Sequence, residues 1–162
     1  MRSDAEYMAR AIELAKLAAA EGETPVGAVV VKKSTGEIVG EGYNRRETKK
    51  SPLAHAELIA LDEAAKRLGG WRIIGCDLFV TLEPCPMCAG AIINSRIERV
   101  VYGAKDPKAG SIESVQHMFE LGYNHRPEAV SGVLEDECAG LLSEFFKALR
   151  KEKQKNTPPE SR

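Results

Sequence analysis

Two short phrases in this chain have to be read together. His55-Ala56-Glu57 is one, and Pro84-Cys85-Pro86-Met87-Cys88 is the other. Thiolate and imidazole are the ligands zinc prefers, and a C-x-x-C pair answered by an upstream histidine has metal-ligand spacing. If one ion is held by both phrases, the fold must carry residue 55 to residues 85–88. That requirement constrains the architecture more than any other feature of the chain.

The helix and strand pattern is compatible with it. Residues 6–21 place Met8, Ile12, Leu14 and Leu17 at near-helical spacing, with alanines between them, and Gly22 ends the run. A valine-rich strand is expected over 26–31, a turn at 34–37 and a second strand over 38–43. A polar, basic loop occupies 44–52. Helix is expected over 54–68, strand over 78–82 and helix over 86–95, with Pro86 suited to a first turn. Strand follows over 99–103, then a loop at 106–110 and a shorter helix to about residue 121. A fifth strand over 129–133 and a final helix over 134–151 complete the order α-β-β-α-β-α-β-α-β-α. Such alternation predicts a mixed sheet covered on both faces, a three-layer α/β/α domain. The chain has 162 residues, no internal repeat and no linker. One domain is expected over 1–152, with a polar disordered tail over 153–162 that contains Pro158-Pro159.

Composition narrows the function classes. No apolar run approaches the ~20 residues that span a bilayer, and the first residues lack the apolar core of a signal peptide. A cytoplasmic location is the expectation. In that reducing compartment the four cysteines argue for metal over disulfides. The net charge is −1, so a nucleic-acid partner would have to be held by a local patch. Arg45, Arg46, Lys49 and Lys50 form such a patch immediately before His55.

The two phrases divide the chemistry between them. A helix beginning at Pro86 brings the Cys85 and Cys88 thiols to the same end, where the helix dipole favours thiolate. With His55 they make three ligands, and no fourth stands out nearby. Three protein ligands and one open position are the pattern of a catalytic zinc. Glu57 points to another side of its helix start, suited to reach the water and the substrate without ligating. Zinc lowers the pKa of its water toward ~7, and a carboxylate within reach can take and return the proton. Cys76 and Cys138 are expected to be inert and buried, and His117 and His125 to be surface or structural. H-x-E followed by P-C-x-x-C is the signature of zinc-dependent nucleobase deaminases.

The flanking residues carry a closer likeness. Thr24-Pro25-Val26-Gly27-Ala28, Gly42-Tyr43-Asn44, Ala54-His55-Ala56-Glu57 and the run from Val80 through Cys88 to Ala91 resemble the bacterial tRNA-specific adenosine deaminases. So do Ser95-Arg96-Ile97, Val101-Tyr102-Gly103-Ala104-Lys105-Asp106, Asn124-His125-Arg126 and Ser143-Glu144-Phe145-Phe146. The resemblance implies the cytidine-deaminase-like fold, with a five-stranded sheet whose last two strands are parallel. It implies conversion of wobble adenosine to inosine in a tRNA anticodon stem-loop, by a homodimer with one Zn2+ per subunit. His55, Cys85 and Cys88 would ligate the metal and Glu57 would be catalytic. Asn44, Val26 and Ala56 would contact the flipped base, Asp106 and Lys108 would lie near the RNA backbone, and Phe146 would line its groove. The chain departs from the family at Ser51-Pro52-Leu53 and in a shorter segment after Gly110. Two other readings stand beside this one: a free nucleobase or nucleoside deaminase, and a catalytically silent RNA-binding zinc module.

Overall fold

In the computed structural model, which describes residues 2–156, the first helix, α1 (Asp4–Ala20), begins earlier than its apolar spacing suggests. Ser3 caps it, and Glu6 returns the bond in a reciprocal capping box. Its buried stripe runs through Tyr7, Met8, Ala11, Ile12, Leu14, Ala15 and Ala18. Leu17 lies off that stripe and is 49% exposed, because the small alanines let the helix sit close to the sheet on the other side.

The strands are β1 (Gly27–Lys32), β2 (Glu37–Tyr43), β3 (Cys76–Leu82), β4 (Arg99–Ala104) and β5 (Glu128–Val130), in the order β2-β1-β3-β4-β5. β1 runs antiparallel to both of its neighbours, whereas β3, β4 and β5 are mutually parallel. The central strands are apolar on both sides. Ala28 and Val30, Leu78 and Val80, and Val100 and Tyr102 face one core, while Val29, Val31, Phe79 and Val101 face the other.

The first core is covered by α3 (Ala56–Leu68) and α4 (Pro86–Asn94), the second by α1 and α5 (Glu135–Asn156). The three-layer α/β/α arrangement is the one the element order predicts. Two glycines set how closely the helices dock. A Cβ at Gly42 would lie 2.5 Å from the Ala56 carbonyl oxygen, so bare backbone brings the start of α3 onto β2. A Cβ at Gly103 would lie 2.4 Å from Cys138 Sγ, where α5 rests on β4.

Three segments differ from expectation. The loop over 44–52 contains a single helical turn, α2 (Arg46–Lys49). No α-helix forms between Gly110 and Leu121; residues 111–114 are turn, residue 115 is a bend, and one 3₁₀ turn stands at Met118–Glu120. The amides of Ile112, Glu113 and Ser114 donate to the Glu83 carboxylate, which holds this segment against the end of β3. Finally, α5 continues to Asn156, because Lys and Glu are good helix formers and an exposed helix end needs no apolar face. Residues 153–156 of the expected tail are thus helical, and the rest of that tail, 157–162, lies outside the described residues. Among the described residues no helix is long and apolar enough to cross a membrane.

Candidate metal centre and substrate cavity

His55 and Cys85 occupy equivalent places in the fold. Each is the N-cap of a helix, with extended backbone (φ −81°, ψ 149° and φ −73°, ψ 174°), and neither side chain caps its own helix. Both side chains are thereby free to turn toward a common point. Pro86 opens α4 with its φ already suited to a helix, and Cys88 follows two residues later on the same turn. The positive ends of α3 and α4 both meet at this point, which stabilises thiolate and carboxylate there.

The donor atoms converge. His55 Nδ1 lies 3.7 Å from Cys85 Sγ and 3.5 Å from Cys88 Sγ, and all three ligand atoms fall within 4.8 Å of one another. Bonds of about 2.3 Å to sulfur and about 2.0 Å to nitrogen at tetrahedral angles put sulfur and nitrogen about 3.5 Å apart. The spacing therefore fits zinc. The electrostatics agree with it. A hydrogen bond from Cys88 pulls the Cys85 thiol down to about 4, with His55 adding to the fall. That same bond, together with burial, pushes Cys88 up, so the two sulfurs hold one proton between them. A divalent cation removes that proton and lets both bind as thiolates.

Glu57 stands on the first turn of α3 and is 4% exposed. Burial pushes its carboxyl up to about 7. A carboxyl in that range exists in both forms near neutrality, as a group that takes and returns a proton requires.

These groups form one end of a cavity of about 490 Å³. Val26, Asn44, His55, Ala56, Glu57, Cys85, Asp106, Lys108 and Phe146 all line it. Of the residues expected to ligate the metal, act in catalysis or contact the substrate base and backbone, Cys88 alone does not, being fully buried behind the cavity floor. Asn44 is 5% exposed; its Nδ2 donates to the Thr24 carbonyl and its Oδ1 accepts from the Arg46 amide. An amide keeps a second N–H and a second lone pair beyond those two bonds. Asp106 Oδ1 accepts from the amides of Lys108 and Ala109, which folds its own loop into a tight turn. Phe146 is 41% exposed and packs edge-on against Phe145.

Of the basic cluster, only Arg46 lines the cavity. Arg45 lies over the Tyr43 ring instead, and Lys49 and Lys50 are exposed outside it. Cys76 and Cys138 are buried away from the metal ligands, on β3 and α5. His117 is exposed and His125 bonds the Ile97 carbonyl.

Two structurally important carboxylates escaped the sequence reading. Glu83 is 2% exposed and accepts from the amides of Asp106, Ile112, Glu113 and Ser114 and from the Ser114 hydroxyl. Burial by itself raises its pKa, but the bonds from Glu113, Ser114 and Asp106 outweigh that and hold the carboxyl below its usual range. Glu23 is 1% exposed and accepts from the amides of Glu47 and Thr48. The available signal was a lone carboxylate flanking an apolar strand, as Glu23 stands before β1 and Glu83 after β3.

Known proteins resemble this chain throughout. The model of the cytidine and deoxycytidylate deaminase zinc-binding region matches residues 1–104. The tRNA-specific adenosine deaminase of Bacillus subtilis (strain 168) is 52% identical over 155 residues, covering 95% of each chain. A solved tRNA:A34 deaminase, studied for A-to-I editing at the wobble position of transfer RNA, superposes with a TM-score of 0.81 at 40% identity over 85% of this chain and 99% of its own. Guanine deaminase from Nitrosomonas europaea superposes with a TM-score of 0.74 at 25% identity over 90% of this chain and 85% of its own. The chain belongs to the zinc-binding cytidine and deoxycytidylate deaminase family, among the tRNA-specific adenosine deaminases.

Proposed function

We propose that this chain hydrolyses the exocyclic amine of wobble adenosine in a tRNA anticodon loop, releasing ammonia and leaving inosine. His55, Cys85 and Cys88 hold zinc, which when bound supplies a water acidified for attack at C6. Glu57 takes one proton from the attacking water and delivers it to N1 of the ring; it then takes the remaining proton from the new C6 hydroxyl and passes it to the amine, so that the C6–N bond breaks as the C6 carbonyl forms and ammonia leaves. The base enters between Val26, Asn44 and Ala56, with the Asn44 amide as its hydrogen-bond partner. The observation that carries this reading is the cavity itself. A buried carboxylate and three metal ligands sit at its floor, while Arg46, Lys105 and Lys108 stand along its walls, where a polyanion's phosphates would lie. Asp106, Lys108 and Phe146 face the RNA on either side of the extruded nucleotide. An anticodon loop is already single-stranded, so extruding its base costs little. The intact Glu57 argues against a silent zinc module.

The enzyme works in the cytoplasm as a homodimer, the assembly that the family likeness implies. Leu53 and Trp71, 60% and 59% exposed, are large apolar side chains that a partner subunit would cover.

The likeness to guanine deaminase supports a second reading, deamination of a free base by the same centre. Its lower identity, 25% against 40% for the tRNA:A34 deaminase, makes it the weaker one. One experiment separates the two. The protein is incubated with an anticodon stem-loop carrying a wobble adenosine and, separately, with adenine, adenosine, guanine and cytidine. Inosine in the stem-loop alone is the expected product. Turnover of small molecules alone would establish the second reading.

A further inference from the structure

α2 is one helical turn, and a turn this short has no stability of its own. Its N-cap residue, Arg45, supplies no side-chain cap. Yet each of the first four amides has a partner. Arg46 N–H donates to Asn44 Oδ1 at 3.3 Å, Glu47 N–H to Glu23 Oε1 at 3.1 Å, Thr48 N–H to Glu23 Oε2 at 2.7 Å, and Lys49 N–H to the Arg45 carbonyl at 2.9 Å. Glu23 thus performs the work of an N-cap from more than twenty residues away in the chain, filling both central positions with one carboxylate.

The anchor is itself fixed. Glu23 is buried, and its own amide donates to the Ala18 carbonyl at the end of α1. The next residue, Thr24, offers its carbonyl to Asn44 Nδ2 at 3.2 Å. Residues 23 and 24 therefore hold both α2 and the Asn44 amide, and Asn44 in turn holds α2. We infer that Glu23 is a positioning residue for substrate: it locks the basic turn that carries Arg46 to the cavity wall, with Lys49 exposed beside it, and through that turn it sets the phosphate contacts.

This inference rests on the proposed polynucleotide substrate. Glu23 touches neither the metal ligands nor the reacting atoms, so its loss should appear in binding and not in the chemical step. Glu23→Gln is nearly isosteric, but it replaces one acceptor oxygen with a donor that faces an amide. The expected result for the stem-loop is a KM raised by about tenfold, with kcat per bound zinc within about twofold of the unaltered protein. The slope of log affinity against log salt should also fall by about one, as when one phosphate is no longer neutralised by the protein. In a background where Arg46 and Lys49 are already alanine, Glu23→Gln should raise KM little further, because its effect passes through those residues.

A merely structural role predicts a lower melting temperature and a smaller active fraction, with KM and salt slope unchanged; that outcome overturns the inference. Full additivity with the alanine background overturns it as well. Glu23→Asp keeps the charge on a shorter arm and serves where Glu23→Gln does not fold; it should give a KM between the two, and an unchanged KM would count against the inference. Stem-loop editing by the unaltered protein is the control. Its failure removes the substrate reading and this inference together, whereas an active control with an indifferent Glu23 removes the inference alone.

Discussion

The floor and the walls of the cavity hold their side chains by different means. At the floor, His55, Glu57, Cys85 and Cys88 sit on the first turns of α3 and α4, whose positions are set by packing against the sheet. In the walls, Arg46, Asp106 and Lys108 sit on short irregular segments with little apolar surface to bury. Those segments are held through their backbone amides, by Glu23 on one side and Glu83 on the other. The floor is rigid because regular structure makes it so. The walls are ordered because two buried carboxylates accept hydrogen bonds that would otherwise go to water. Under the proposed function, chemistry and specificity are thereby separated: the walls can change without moving the groups at the floor.

The largest break in this comparison is expected at the floor. Cys88→Ala should abolish zinc binding and reduce activity to background, as metal analysis beside a deamination assay would show. Glu57→Gln should keep a full complement of zinc and lower kcat by about 10²–10⁴-fold, the usual contribution of a positioned acid–base group. Full activity in that variant would end the role assigned to Glu57.

Changes in the walls should act on stability and binding. Glu83→Gln leaves several buried amides facing a neutral, partly donating group, and about 3 kcal/mol of stability should be lost in denaturant unfolding. The pH dependence follows from the same carboxylate. Its folded-state pKa lies below the ordinary value, so its stabilising contribution is complete above the unfolded carboxylate pKa, about 4.3, and is lost as pH falls through the folded value. Acid unfolding should therefore begin below about pH 4, and Glu83→Gln, already destabilised, should show a shallower acid limb. An identical acid limb in both proteins would mean that the carboxylate does not hold the loop. The smallest effect is expected at Phe146. Phe146→Ala should change stability by about 0.5 kcal/mol, as surface positions do, while raising KM for the stem-loop a few-fold. A free adenine base, if it were turned over at all, should show no such change.

The same division governs what was legible in the residues. The floor could be read because its requirements are local. C-x-x-C with Pro86 between the cysteines marks a helix start, and His55-x-Glu57 marks another; apolar runs at 26–31 and 78–82 mark the buried strands that carry them. The walls could not be read this way. Residues 111–117 have the composition of a short helix, but they form no helix, and the amides of Ile112, Glu113 and Ser114 tie them to Glu83, a residue remote in sequence. Residues 44–52 have the composition of a loop, but Glu23 caps a helical turn inside them. Leu17 shares the near-helical spacing of Met8, Ile12 and Leu14 but is exposed, and alanines lie on the buried face of α1.

Residue type and spacing alone determined the zinc donor set and the three-layer class, and they single out Glu57 for the acid–base role proposed above, because ligand identity and apolar periodicity are local properties. Only the tertiary structure decided which cations reach the cavity, how Asn44 is held, and that residues 111–117 form no helix. Those outcomes depend on where two buried carboxylates find their donors, and a hydrogen bond between residues more than twenty apart leaves no periodic trace in the chain.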